Sequence, residues 1–298
     1  MAIPKDFIMT ATHEKKAEFE LKADTLKEIF TRGTSIMTSL MNDSSGKLYR
    51  LAIIAILHHT LSLIDGIQIL IRVGAVQPAI LLLRALQETR MKLMYVLQKD
   101  TERRAMAMLH MHIKNEETKK RSYKAGTPEF NKLSSALKGD IEHSTNEADL
   151  VDPDVDNKLK EFADVLSKSR WTEYNAEYTI IKKPEWYKYF GGPENLRDMA
   201  KDHLNMLGSY ELFYRRFSQP MHADDIIADA MIDDGRAGLT VALFRRYEQI
   251  DIVADLAAAY ELKVLGQIVN TFLKTEEEEF QKWASEIALK LRPPKELI

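Results

Sequence analysis

The sequence predicts an all-α fold: a single helical, bundle-like domain with a polar insertion of short helices and loops. Two observations carry this reading. Apolar residues recur at the three- and four-residue intervals of a helix packed on one face through most of the chain. The long apolar runs are also joined by links of only a few residues, rich in glycine, proline and asparagine, which forces neighbouring helices to pack antiparallel. The domain is read as residues 1–298, with long N-terminal helices over 14–126, a polar excursion or lid over 127–193, and C-terminal helices over 194–298.

The elements follow in order. Phe19, Leu26, Ile29, Phe30, Ile36 and Leu40 mark one face of an amphipathic helix over 14–41. The run Asn42 to Gly46 breaks it and offers Ser44 or Ser45 as the next helix cap. A second helix spans Lys47 to Val73. Its stretch LAIIAILHHTLSLIDGIQILI has the length of a membrane span, but His58, His59, Asp65 and Gln68 interrupt it. Its uninterrupted apolar part falls short of the roughly 20 residues a bilayer needs, so it reads as a buried central helix. Gly74 and Pro78 turn the chain into a third helix, apolar nearly all round, that runs to Leu97.

A helix of mixed character follows from Asp100 to Tyr123, and Thr127 with Pro128 starts the next. Asp152-Pro153-Asp154 is expected to cap a short helix through Leu166. Pro193 is expected to open a helix through about Leu207, and Ser209 to cap another through Phe217 that Pro220 stops. Leu239 to Phe244 is open between strand and helix. Gln249 to Leu273 reads as a long apolar helix, and Thr275 opens the last one. The glutamates from Glu276 to Glu279 complement the dipole of that last helix.

Composition narrows the chemistry. A formal net charge of −3 argues against a surface that coats polyanions generally. There is no cysteine, hence no disulfide framework, thiolate zinc site or cysteine nucleophile, which fits a cytoplasmic protein. The N-terminus lacks the continuous apolar run of a secretory signal. Glycine-rich phosphate loops, HExxH, GxSxG and EF-hand patterns are absent from the sequence. His58-His59 and His110-Met111-His112 lack the i, i+4 spacing that would let two imidazoles share an ion from one helix. No metal and no cofactor is expected, which leaves chemistry done by side chains on helices.

Two places hold the candidate residues. In the third helix Arg84 and Glu88 lie four residues apart on the stripe that carries Ile80, Met91 and Tyr95. Charges on an apolar stripe are costly unless partnered, so the pair either pins a core or lines a polar pocket. The second place is Tyr214 to His222, YRRFSQPMH. Tyr214 and Ser218 share one helix face, and His222 follows Pro220.

Arg216 and His222, with five residues between them in this second stretch, resemble the Arg-x(4–6)-His motif of the HEPN superfamily of helical bundles, many of them metal-independent ribonucleases. Similar spacings occur at Arg104 with His110 and Arg197 with His203. The order LLLRALQE, then a Trp186 segment, then YRRFSQPMH is similar to a bacterial family, domain of unknown function fifty-six seventy-seven, from about Leu51 to Leu273. That family pairs an apolar-Arg-x-x-x-Glu helix with a later Tyr-x-x-x-Ser-x-x-x-His element, matched here by Arg84 and Glu88 and by Tyr214, Ser218 and His222. It implies a helical bundle with a polar cluster of Arg84, Glu88, Ser218 and His222, and it carries no activity.

The HEPN resemblance implies RNA as substrate, a homodimer that joins arginine and histidine across its interface, and a role in bacterial defence or stress. His222 is then the acid/base and Arg216 or Arg84 the phosphate clamp. Glu88 and Ser218 orient them, Glu88 as part of the catalytic set with His222 and Arg216, while Arg84, Ser218 and Tyr214 bind the substrate. The rival expectation is a non-catalytic module that binds a regulatory protein or a small ligand, its Arg/Glu/His cluster a buried network. Neither reading places the chain at a membrane.

Overall fold

A computed structural model describes residues 13–43, 46–138, 147–215, 231–233, 239–241 and 249–291. The fold is all-α. The helices are α1 (His13–Asn42), α2 (Leu48–Arg72), α3 (Val76–Gln98), α4 (Thr101–Arg121), α5 (Pro128–Lys138), α6 (Val155–Leu166) and α7 (Thr172–Ile180). After them come two single turns, α8 (Leu196–Asp198) and α9 (Leu207–Ser209), then α10 (Ile250–Phe272) and α11 (Glu277–Lys290). Strands β1 (Met231–Asp233) and β2 (Leu239–Val241) pair antiparallel in a three-residue ribbon, with Ile232 opposite Thr240. The segment left open between strand and helix is thus a strand where it is described.

The described chain divides into two compact units. One comprises residues 1–101 with 195–298, and the other residues 102–194. The polar excursion therefore forms a unit together with most of α4, a helix the sequence reading grouped with the long N-terminal ones. The physical reason lies in α4 itself, whose buried positions are only Ala105, Met106, Ala107 and His110. Of these, His110 lies within an aromatic cluster contributed from the excursion.

In the first unit α10 is the central element, packed against α1, α2, α3 and α11. Ala254, Ala257 and Ala258 are fully buried on it and let neighbouring backbones approach closely. Leu26 and Ile36 of α1, Ile64 and Ile67 of α2, and Leu83 and Leu86 of α3 fill the space around it. α2 is long and apolar enough by composition to cross a membrane, with half of its most apolar window buried inside the protein. Polar pins fix the register of these helices. Lys22 of α1 reaches Asp251 at 2.9 Å and Asp255 at 3.0 Å on α10. Glu261 of α10 is wholly enclosed, with Thr60 of α2 3.1 Å from its Oε1.

In the second unit His110 is fully buried among Trp171, Tyr174, Tyr178 and Tyr189, with ring centroids 5.7–6.0 Å away. Asn175 donates its amide to the Leu166 carbonyl at 2.9 Å, so its Oδ1 must face His110 Nε2, which donates to it at 3.0 Å. His110 Nδ1 then accepts from the Tyr189 hydroxyl at 3.0 Å. Burial holds this imidazole below its ordinary pKa, and the satisfied neutral tautomer explains why it is tolerated there. Thr127 caps α5 as expected, its Oγ1 accepting from the Phe130 amide at 3.2 Å.

The segments after Pro193 depart from expectation. In place of two regular helices, α8 continues as a π-helical turn over Met199–His203, and α9 as another over Tyr210–Arg215. Both turns pack on α3. Periodicity alone does not separate α from π spacing over so short a run.

Candidate functional site

Helix α3 supplies the frame of the site. Arg84, Glu88 and Lys92 follow one another at four-residue steps and are all half-buried, while Ile80, Met91 and Tyr95 beside them are buried. The second wall is the π-helical turn from Tyr210. Its wider turn leaves Tyr210 and Tyr214 stacked nearly parallel, with centroids 5.0 Å apart at 20°.

Tyr214 joins the two walls. Its hydroxyl accepts from Arg84 Nη2 at 3.2 Å and donates to Glu88 Oε2 at 3.1 Å. The Arg84 guanidinium also lies 4.7 Å from the Tyr214 ring centroid, a cation–π contact. Lys92 Nζ donates to Glu88 Oε1 at 2.7 Å. Both oxygens of Glu88 are thus engaged.

The charges follow from this geometry. Burial alone would raise the Glu88 carboxyl, but Lys92, then Tyr214 and Arg84, outweigh it and hold the group below its ordinary value. Burial, together with the Glu88 charge, pushes the Tyr214 phenol up to about 12. Near neutrality the cluster is therefore a carboxylate between two cations, bridged by a neutral phenol. It is arranged to orient groups. Neither Glu88 nor Tyr214 is poised to move a proton at neutral pH.

Of the residues singled out in the sequence, Arg84, Glu88 and Tyr214 are brought together here. Arg216, Ser218 and His222 lie outside the described residues, as do Ser44 and Ser45. Lys92 and Tyr210 were missed. Lys92 was legible as the favourable Glu-to-Lys i, i+4 pair, whereas the Tyr210 stack depends on the π-turn and had no sequence signal. Of the other arginine–histidine spacings, His110 is the caged imidazole of the second unit and Arg197 pairs with Glu211 at 3.0 Å. Among the described residues no cluster of three histidine, aspartate or glutamate side chains could hold a metal ion.

The sequence pattern of a family of unknown function (DUF5677) matches residues 50–238, from α2 through the described end of the site. The chain belongs to this family. The matched region of this DUF5677 protein includes Arg84, Glu88, Lys92, Tyr210 and Tyr214, so the cluster lies within the shared part of the chain. No curated protein and no solved structure matches the sequence significantly.

Proposed function

We propose that this DUF5677 protein is a metal-independent ribonuclease or toxin-type effector with HEPN-like chemistry, acting in the cytoplasm in defence or stress. The observation that carries the reading is the Arg84–Tyr214 contact, which holds a guanidinium beside two stacked tyrosines. A cation next to an aromatic platform suits a nucleotide, because the guanidinium takes phosphate oxygens and the rings take a base. Tyr214 stands two residues before Arg216, four before Ser218 and eight before His222. In the proposed reaction His222 moves the proton of the attacking 2′-hydroxyl or of the leaving oxygen. Arg84 or Arg216 stabilises the phosphorane charge. Glu88 keeps Tyr214 and Lys92 in place and takes no proton itself. A homodimer is the proposed working form.

The test is RNA cleavage by purified protein in EDTA, wild type beside His222→Ala and Arg84→Ala, with analysis of the 3′ ends. Cyclic phosphate ends produced by wild type and lost in His222→Ala support the proposal. A His222→Ala protein that cleaves as fast as wild type sinks it.

A second reading is favoured by the full engagement of Glu88, whose oxygens both serve neighbours within the protein. In it the cluster is a structural network in a module that binds a regulatory protein or small ligand. That reading predicts a large drop in melting temperature for Arg84→Ala, with no RNA cleavage in any variant.

A further inference from the structure

Arg90 of α3 is 5% exposed, yet among the described residues no carboxylate pairs with it and its Nε has no hydrogen-bond partner. Its guanidinium lies 4.5 Å from the ring centroid of Tyr260 on α10. A buried cation is normally matched by an anion, because taking an unpaired charge out of water is costly. Stacking on one aromatic ring recovers only part of that cost.

Two further unmet groups adjoin it. The Tyr260 hydroxyl is buried without a well-formed hydrogen bond, although it lies against Ser209. Gln87, one turn before Arg90 and fully buried, donates its amide to the Ser209 carbonyl at 2.9 Å and to Ser209 Oγ at 3.1 Å. Those contacts fix the amide orientation and leave Gln87 Oε1 as an acceptor with no donor. The buried unmet set is thus a cation, a hydroxyl and a carbonyl oxygen, linked through Ser209. Buried polar atoms are so rarely left unpaired that a concentration of them points to an absent partner.

We propose that Arg90, Tyr260, Gln87 and Ser209 form an internal anion site selective for inorganic phosphate. Its oxygens accept from Arg90 and from the Tyr260 hydroxyl. Near neutral pH phosphate keeps at least one proton on oxygen, and that P–OH donates to Gln87 Oε1. Sulfate has no proton to give and would set an oxygen lone pair against the same carbonyl. The site is separate from the Arg84–Tyr214 cluster and does not depend on its function.

The experiment is calorimetric titration and thermal unfolding of the full chain at pH 7 with sodium phosphate, and with sodium sulfate at matched ionic strength. Saturable phosphate binding is expected, with a rise in melting temperature and sulfate about tenfold weaker or more. Arg90→Met should abolish the response, and Tyr260→Phe should weaken it severalfold while keeping the stacked ring. Equal response to phosphate and sulfate overturns the proposal, as does a response undiminished in Tyr260→Phe. So does no response to either anion, which would mean that water serves these groups.

Discussion

Glu261 gives the most direct handle on the stability of the first unit. Its carboxyl is entirely enclosed between α10 and α2, and burial pushes it up to about 8 from an ordinary value of 4.5. The Thr60 hydroxyl, 3.1 Å from Glu261 Oε1 and 2.9 Å from the Leu57 carbonyl, favours the carboxylate and offsets only part of this burial.

The sign follows from proton linkage. Below about pH 4.5 folded and unfolded chains both hold this proton, and the stabilisation is fully present. Between 4.5 and 8 only the folded chain holds it, so stability falls as pH rises, and above about 8 the loss is complete. At about 1.4 kcal/mol per pH unit that loss is about 5 kcal/mol, or about 3 kcal/mol by pH 7. Glu261→Gln keeps the shape and cannot ionise. Urea unfolding of wild type and Glu261→Gln from pH 5 to 9 should show curves that diverge with pH, the variant gaining by several kcal/mol at the alkaline end. In thermal unfolding the gap is on the order of 10 °C. Parallel curves across the whole range would refute the assignment of a buried neutral carboxyl.

His110 has the opposite sign: its lowered pKa makes stability rise with pH up to about 6.5 and fall in acid, a dependence that His110→Phe should remove in acid unfolding. His110→Ala should cost about 3 kcal/mol, since it leaves a cavity and strands Asn175 and Tyr189, measured by urea unfolding. Tyr214→Phe removes the hydroxyl that joins Arg84 to Glu88 while keeping the ring, and should lower stability by about 1 kcal/mol; under the ribonuclease proposal it also lowers cleavage. Gly33→Ala should destabilise by about 1–2 kcal/mol despite better helix propensity, because a Cβ there would collide with Leu61, itself buried between α1 and α10.

The sequence made the long elements legible and the site only in part, for identifiable reasons. α1, α2, α3 and α10 each bury a stripe repeated over five turns or more, and so long a pattern has one helical solution. Arg84 and Glu88 stood out because charges on an apolar stripe demand partners. The partner of Glu88 on its own helix, Lys92, needed only the same spacing rule. The π-turn at Tyr210 was not legible, since one extra residue per turn leaves no trace in a six-residue run. Arg90 was equally invisible: its isolation depends on which side chains α10 and Ser209 bring near, and no spacing within α3 encodes that.

The order of helices around α10 sets a timetable for synthesis. The three helices it covers end at Gln98, whereas α10 ends at Phe272. At about 5–20 residues per second the ribosome needs on the order of ten seconds or more to bridge that interval. During it the flanks of α2 and α3 that α10 covers wait for a partner still to be made. Because α2 is apolar enough to be taken for a membrane segment, that wait exposes the nascent chain to mis-insertion and to premature association with its neighbours on the same messenger. Helper proteins that shield nascent apolar helices should therefore matter more for the yield of this protein than for its stability once α10 is in place.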